Sequence, residues 1–288
     1  MPSTRSHAAI PLDRVAAQIR RDVIVQTVAA ASGHPGGALG VAEILATLYF
    51  QELRHDPARP DWPDRDRFVL SNGHLCAGLY SALARTGYFP SAELLTFRRI
   101  GSRLQGHPSH VDLPGIETSG GPLGQGLSVA NGIALGMRLK RVPARVYCLV
   151  GDGELQEGQI WEAAMTAAHY RLDHVCLIVN DNGLQIDGAT SLVKRVDPIA
   201  PRFQAFGWHV EEIDGHDLDA IADAFDRFHK TRDLPTTIIA KTVMGRGVSF
   251  MEGDAKWHGT APSKDQAVRA LRELPPGFAA DLWDGVPA

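Results

Sequence analysis

Apolar residues return at helical spacing over residues 12–31 (Leu12, Val15, Ile19, Val23), which predicts a helix. It stops at Ser32-Gly33-His34-Pro35-Gly36-Gly37, a stretch with enough glycine and proline to end one helix before the next begins near Val41. The second helix runs to about Leu53, and residues 56–66, rich in proline and charge, form an exposed connection. The pattern then changes. Short apolar runs at 68–70, 146–150, 175–179, 209–213 and 236–240 predict strands. The second and third are apolar throughout, as expected where helices cover both faces of a parallel sheet. Between them, residues 157–168 carry a helical stripe (Ile160, Ala164, Ala167, Ala168), giving a strand–helix–strand unit. A last helix is predicted at 265–273, ahead of a tail bearing proline and glycine. The expected fold is α/β, a doubly wound, mostly parallel sheet with helices on both faces. One domain is expected over 1–288, its core at about 12–260, with 261–288 as helix and tail.

Composition narrows the function classes. The 288 residues are 44% apolar and 22% charged, as in an ordinary globular protein, with a net charge of −4. That charge gives no footprint for nucleic acid or an anionic membrane surface. The first nine residues have no signal-peptide core, and no stretch approaches the roughly 18 apolar residues that span a bilayer. The three cysteines, Cys76, Cys148 and Cys176, show no CxxC spacing, and two of them lie inside apolar runs. A reduced, cytoplasmic setting is expected.

The first chemical signal is Gly151-Asp152-Gly153-Glu154, where the strand ending at Val150 turns toward a helix. Asn182 follows the next strand. In open α/β sheets ligands bind beyond the carboxyl ends of the strands, so Asp152 and Asn182 face one another if their strands are neighbours. A carboxylate, an amide oxygen and a backbone carbonyl are the hard donors that Mg²⁺ or Ca²⁺ prefers, with diphosphate oxygens completing the shell. A helix amino terminus adds about 0.3–2 kcal/mol, so the metal carries most of the neutralisation. The plainer alternative is that Asp152 caps its helix and Asn182-Gly183 makes a turn. No GxGxxG follows a strand, which leaves a nicotinamide cofactor without support.

The second signal is a set of glycine-flanked histidines, His34, His74, His107 and His258, among the twelve in the chain. A lone loop histidine is more often solvated than functional. Four on glycine-hinged loops suggest imidazoles converging on one polar ligand, where a group of pKa about 6.5 can donate to an oxyanion or move a proton. His216, in Asp214-Gly215-His216-Asp217, is read as a structural turn.

These motifs together resemble the transketolase family. Residues 151–188, including Asn182-Gly183-Leu184-Gln185-Ile186-Asp187-Gly188, look like its thiamine diphosphate motif. Ser32 to Gly40 resembles its SGHPG loop. Ser71-Asn72-Gly73-His74 and Gly106-His107-Pro108 match the next two histidine motifs. Gly120-Gly121-Pro122-Leu123-Gly124-Gln125-Gly126 resembles the GPLGQG turn, and Trp257-His258-Gly259 the final histidine motif. The resemblance runs collinearly over about residues 12–260. Deoxyxylulose-phosphate synthases share the GDG…N core but differ in the first histidine loop and the GPLGQG turn.

The resemblance implies a thiamine diphosphate-binding fold, with Mg²⁺ (or Ca²⁺ or Mn²⁺) bound by Asp152, Asn182 and the carbonyl of Leu184. It implies diphosphate contacts from Gly153, His74 and His258, and cofactor packing from Gly121, Leu123 and Ile186. His34, His107 and His258 would reach the donor sugar or the reacting carbon. Glu157 and Glu162 would sit near a dimer axis linking two cofactor sites, or else be solvated helix carboxylates. In the family, the glutamate that activates the cofactor and the arginines that grip the sugar phosphate lie in a further domain, which the chain ending at Ala288 has no room for. The expectation is therefore a ketol-transferring subunit that works with a separate carboxyl-terminal subunit, in a 2+2 heterotetramer, on sugar phosphates. The rivals are a transferase or synthase for an unusual sugar and a non-catalytic regulatory paralogue.

Overall fold

The computed structural model describes residues 10–283, so residues 1–9, read above as lacking a signal-peptide core, and the end of the tail lie outside the described residues. The first helix, α1 (Leu12–Ala30), presents Val15, Ile19 and Val23 to the interior as the spacing requires. The glycine-rich stretch after it differs from the sequence expectation. It forms a helix of its own, α2 (Pro35–Gly40), with His34 at its N-cap and Pro35 at its first position. Proline is pre-set for that position because its missing N–H would be unpaired there anyway. The glycines are accepted because all of α2 is buried, and the Gly245 N–H donates to the Gly36 carbonyl at 2.8 Å. The second predicted helix starts as α3 (Ala42–Thr47) and widens into a π-turn over Leu48–Glu52.

The five predicted strands all form. They are β1 (Arg67–Leu70), β2 (Val146–Gly151), β3 (Val175–Asp181), β6 (His209–Asp214) and β7 (Thr236–Lys241); β4 (Leu184–Gln185) and β5 (Gly188–Ala189) make a separate small hairpin. Each main strand runs a residue or two past its apolar run, because backbone pairing continues where the side chains turn polar. The main sheet is parallel throughout, in the order β1-β2-β3-β7-β6. Its central strands alternate between two cores. Tyr147 and Leu149 of β2 and Cys176 and Ile178 of β3 face α1, α3, α4 (Cys76–Thr86), α9 (Leu218–Lys230) and α10 (Lys264–Glu273). Val146, Cys148 and Val150, with Val175, Leu177 and Val179, face α5 (Gly126–Leu139), α6 (Gly158–His169) and α8 (Ile199–Ala205). Between the hairpin and α8 lies one short turn of helix, α7 (Thr190–Val193). Both sheet faces are thus covered, as the apolar runs require.

The register of β2 against β3 pairs Gly151 with Asn180, which sets the loops after both strands side by side at the carboxyl edge. No helix among the described residues is long and apolar enough to cross a membrane. His216 does more than turn the chain. Its Nδ1 meets Glu43 Oε2 at 3.1 Å and its Nε2 accepts from the Val243 N–H at 2.9 Å. Since Nε2 accepts, the ring proton is on Nδ1 and donates to Glu43, which also receives Arg20 Nη2 at 2.6 Å. Burial alone would raise the Glu43 carboxyl, and these donors override it and hold it below the usual range. The network ties α1 and α3 to the segment after β7 that carries His258.

Candidate active site

The GDG turn leaves β2 as its sequence position requires. Asp152 is 2% exposed, with Oδ1 accepting from the Gly153 N–H at 2.9 Å and Oδ2 from the Gly183 N–H at 2.8 Å. The second of these bonds crosses from the end of β2 to the loop after β3, so Asp152 and Asn182-Gly183 form one surface. Asn182 Oδ1 accepts from the Leu184 N–H at 2.9 Å, which folds the loop back before the hairpin. Burial pushes the Asp152 carboxyl up to about 7, Asp181 adds to the rise, and the backbone N–H donors oppose it. A buried carboxylate short of positive charge beside an amide oxygen suits a hard divalent cation. Among the described residues no three His, Cys, Asp or Glu side chains form a metal-binding group. The candidate donors from the sequence include only one carboxylate, Asp152, so they fall outside such a group.

The four histidines come together. His34 lies 5.3 Å from His74, 5.7 Å from His258 and 6.5 Å from His107 between ring centroids, and His74 and His258 are 5.0 Å apart. They arrive from separate parts of the chain: the start of α2, the turn after β1, an irregular loop, and the turn Ala255–His258. Burial is the first cause holding all four below the usual imidazole range, bringing His34 to about 4 and His74 to about 3. At neutral pH the cluster is therefore uncharged, and each ring offers one N–H donor and one acceptor.

The GPLGQG turn is fastened beside them. A side chain at Gly73 would come within 3.0 Å of the Gly121 nitrogen, so only glycine lets the loop carrying His74 lie flat on Gly120-Gly121. Leu123 and Ile186 are 39% and 65% exposed, among several large apolar side chains at the surface. Glu157 stands at the N-cap position of α6 without a side-chain capping bond and Glu162 lies further along the helix, both exposed and outside the histidine cluster. The hairpin of β4 and β5 follows Asn182, and its Gln185 side chain lies against Gly153.

Sequence reasoning missed two organising residues. Glu154 is 3% exposed and accepts from the Gly124 N–H at 2.8 Å, the Gly151 N–H at 3.1 Å and the Ser71 hydroxyl. It thereby joins the GDG, GPLGQG and SNGH segments, and its only signal in the sequence is its place directly after GDG. Arg98 reaches His34, Ser32 and Gly106 from a loop that carries no motif.

The fold and its motifs have known relatives. The family described as "Transketolase, thiamine diphosphate binding domain" matches residues 12–281. The 6-deoxy-6-sulfo-D-fructose transketolase subunit SqwG of Clostridium sp. (strain MSTE9) is 42% identical over 93% of this chain and 98% of its own length. An apulose-4-phosphate transketolase subunit of Actinobacillus succinogenes is 40% identical over 91% of this chain and 95% of its own. In three dimensions the transketolase of Leishmania mexicana superposes with a TM-score of 0.88 at 32% identity, over 96% of this chain and 43% of that one. That of Campylobacter jejuni gives 0.88 at 35% identity, over 96% and 44%. The chain thus spans less than half the length of the solved transketolases it matches.

Proposed function

The chain belongs to the transketolase family as its thiamine diphosphate-binding domain, and from that premise we propose that it is one subunit of a two-chain transketolase that moves a two-carbon ketol unit from a ketose to an aldose. The observation that carries this reading is the convergence of four uncharged imidazoles beside the Asp152–Asn182 surface at the carboxyl edge of the sheet. The partner subunit would supply the pyrimidine-binding domain with its activating glutamate, as a 2+2 assembly. Two relatives matched over nearly their whole length are named as subunits, which supports a partner acting in trans.

Asp152, Asn182 and the Leu184 carbonyl would hold Mg²⁺, with Gly153, His74 and His258 toward the diphosphate. Gly121, Leu123 and Ile186 would pack on the ring system, which would cover two apolar side chains that are exposed in the chain alone. When bound, thiamine diphosphate supplies the nucleophilic carbon and the electron sink that cleavage beside a ketose carbonyl needs. His34, His107 and His258, kept neutral by burial, would donate to the sugar's carbonyl and hydroxyl oxygens and move protons between them. Glu157 and Glu162, exposed on one end of α6, would meet a second copy near the axis joining two sites. A cytoplasmic setting accords with three free, buried thiols.

The same relatives bear on substrate choice, being named for a sulfonated ketose and for apulose 4-phosphate. The sugar here is accordingly proposed to be a ketose with an anionic terminus, phosphate or sulfonate. The test is co-expression with the candidate partner and assay of glycolaldehyde-unit transfer across phosphorylated and sulfonated ketoses. Transfer that needs both chains supports the reading. An assembled complex that binds cofactor and transfers to no aldose would make the chain a regulatory paralogue.

A further inference from the structure

We infer that Arg98 is a positioning residue for His34, its guanidinium deciding which imidazole nitrogen carries the proton and so fixing His34 as a hydrogen-bond donor into the cleft; the inference rests on reading that cleft as the ketose site. Arg98 Nη2 lies 3.2 Å from His34 Nδ1. A guanidinium can only donate, so Nδ1 must offer its lone pair, and the single proton of the neutral ring sits on Nε2. The other bonds lock the fork, with Nη1 donating to Ser32 Oγ at 2.8 Å and Nη2 to the Gly106 carbonyl at 3.3 Å.

Two further observations separate Arg98 from an ordinary surface arginine. Among the described residues no carboxylate lies within ion-pair distance of it, and its buried Nε has no partner. Its charge is therefore directed at imidazoles rather than spent on an acid. Its backbone sits at φ 56°, a left-handed conformation that the exposed Arg141 and Arg171 share. The Arg98 N–H bond to the Leu104 carbonyl at 2.9 Å maintains it. Finally, a side chain at Gly106 would stand 2.8 Å from Arg98 Nε, so glycine there is what lets the guanidinium lie against the His107 loop.

The groups facing His34 are Arg98, His74, His107 and His258. Burial is the largest influence holding His34 neutral, and Arg98 comes next. Removing the cation would let His34 take up a proton at higher pH and leave its two neutral tautomers free to mix. Either change turns a fixed donor into a variable one.

The test is ¹⁵N NMR of the full chain labelled at histidine, with Arg98→Met, Arg98→Lys and Gly106→Ala. In the wild type the expected signals are protonated Nε2 and unprotonated Nδ1 for His34, unchanged down to about pH 5.5, well above the folded-state value of about 4. Arg98→Met should mix the tautomers and raise the midpoint of protonation. Arg98→Lys, whose ammonium likewise only donates, should keep the low midpoint and the Nε2-protonated tautomer, and Gly106→Ala should mix the tautomers with Arg98 chemically intact. In the assembled enzyme Arg98→Met should lower kcat about tenfold or more with cofactor affinity unchanged, and move the acid limb of the pH profile upward. A wild-type His34 protonated on Nδ1, or tautomers unmoved by both Arg98→Met and Gly106→Ala, would overturn the inference. The predicted tautomer in an assembly that transfers no ketol unit would instead leave the inference standing and remove the transketolase reading.

Discussion

At the scale of single residues the most exacting group is Asp152. Its raised carboxyl means that a proton and the proposed cation would compete for the same oxygens around neutrality. Because the folded-state value lies above that of a free carboxylate, the proton is held until pH climbs through about 7. Metal-dependent thiamine diphosphate binding should therefore weaken as pH falls below about 7, which titration calorimetry at several pH values would register. Asp152→Ala in the assembled protein should abolish the metal dependence, and unchanged affinity would remove Asp152 from the ligand set. The candidate ligands were legible in the sequence because GDG and Asn182 each follow an apolar run, and runs that pair in parallel must place their ends together. Arg98 and Glu154 were not legible. Each acts through contacts between distant segments, and a lone arginine or glutamate carries no spacing that points to its partners.

Elements explain how these residues keep their places. The sheet was readable because apolar runs long enough for two-faced burial have few other uses, whereas α2 was not, since its glycines and proline argue for a loop. Tertiary contact overrides that propensity by burying the whole turn and tying it to the segment beyond β7. Glu154 plays the matching part on the other side, one carboxylate joining loops that follow β1, β2 and the GPLGQG turn. Glu154→Gln would set an amide N–H₂ against a backbone N–H, and a buried donor without an acceptor costs about 1–3 kcal/mol. The expected result is a lower urea midpoint at unchanged m-value, with cofactor affinity falling in the same variant. A variant of wild-type stability with intact binding would show that the three loops hold their geometry without it.

For the whole molecule, the site is assembled at one edge while both cores lie behind it. Leu123 and Ile186 are exposed there, where the proposed partner would close over the candidate site. The purified chain alone should show transfer reduced by roughly the 10²–10⁴ that a missing acid or base costs, restored on mixing with its partner, as a coupled assay of product aldose would reveal. Full activity in the isolated chain would refute a trans-acting partner. The three thiols offer a way to watch the same architecture breathe. Cys148 and Cys176 lie back to back in the middle of the sheet, while Cys76 lies beneath the carbonyls of Gln105 and Gly106, under the loop that bears His107. Burial keeps all of them protonated and shielded, so an alkylating reagent is blocked until something opens. The molecule thus carries its own pair of clocks, one timing the lifting of a single loop and the other the parting of the sheet.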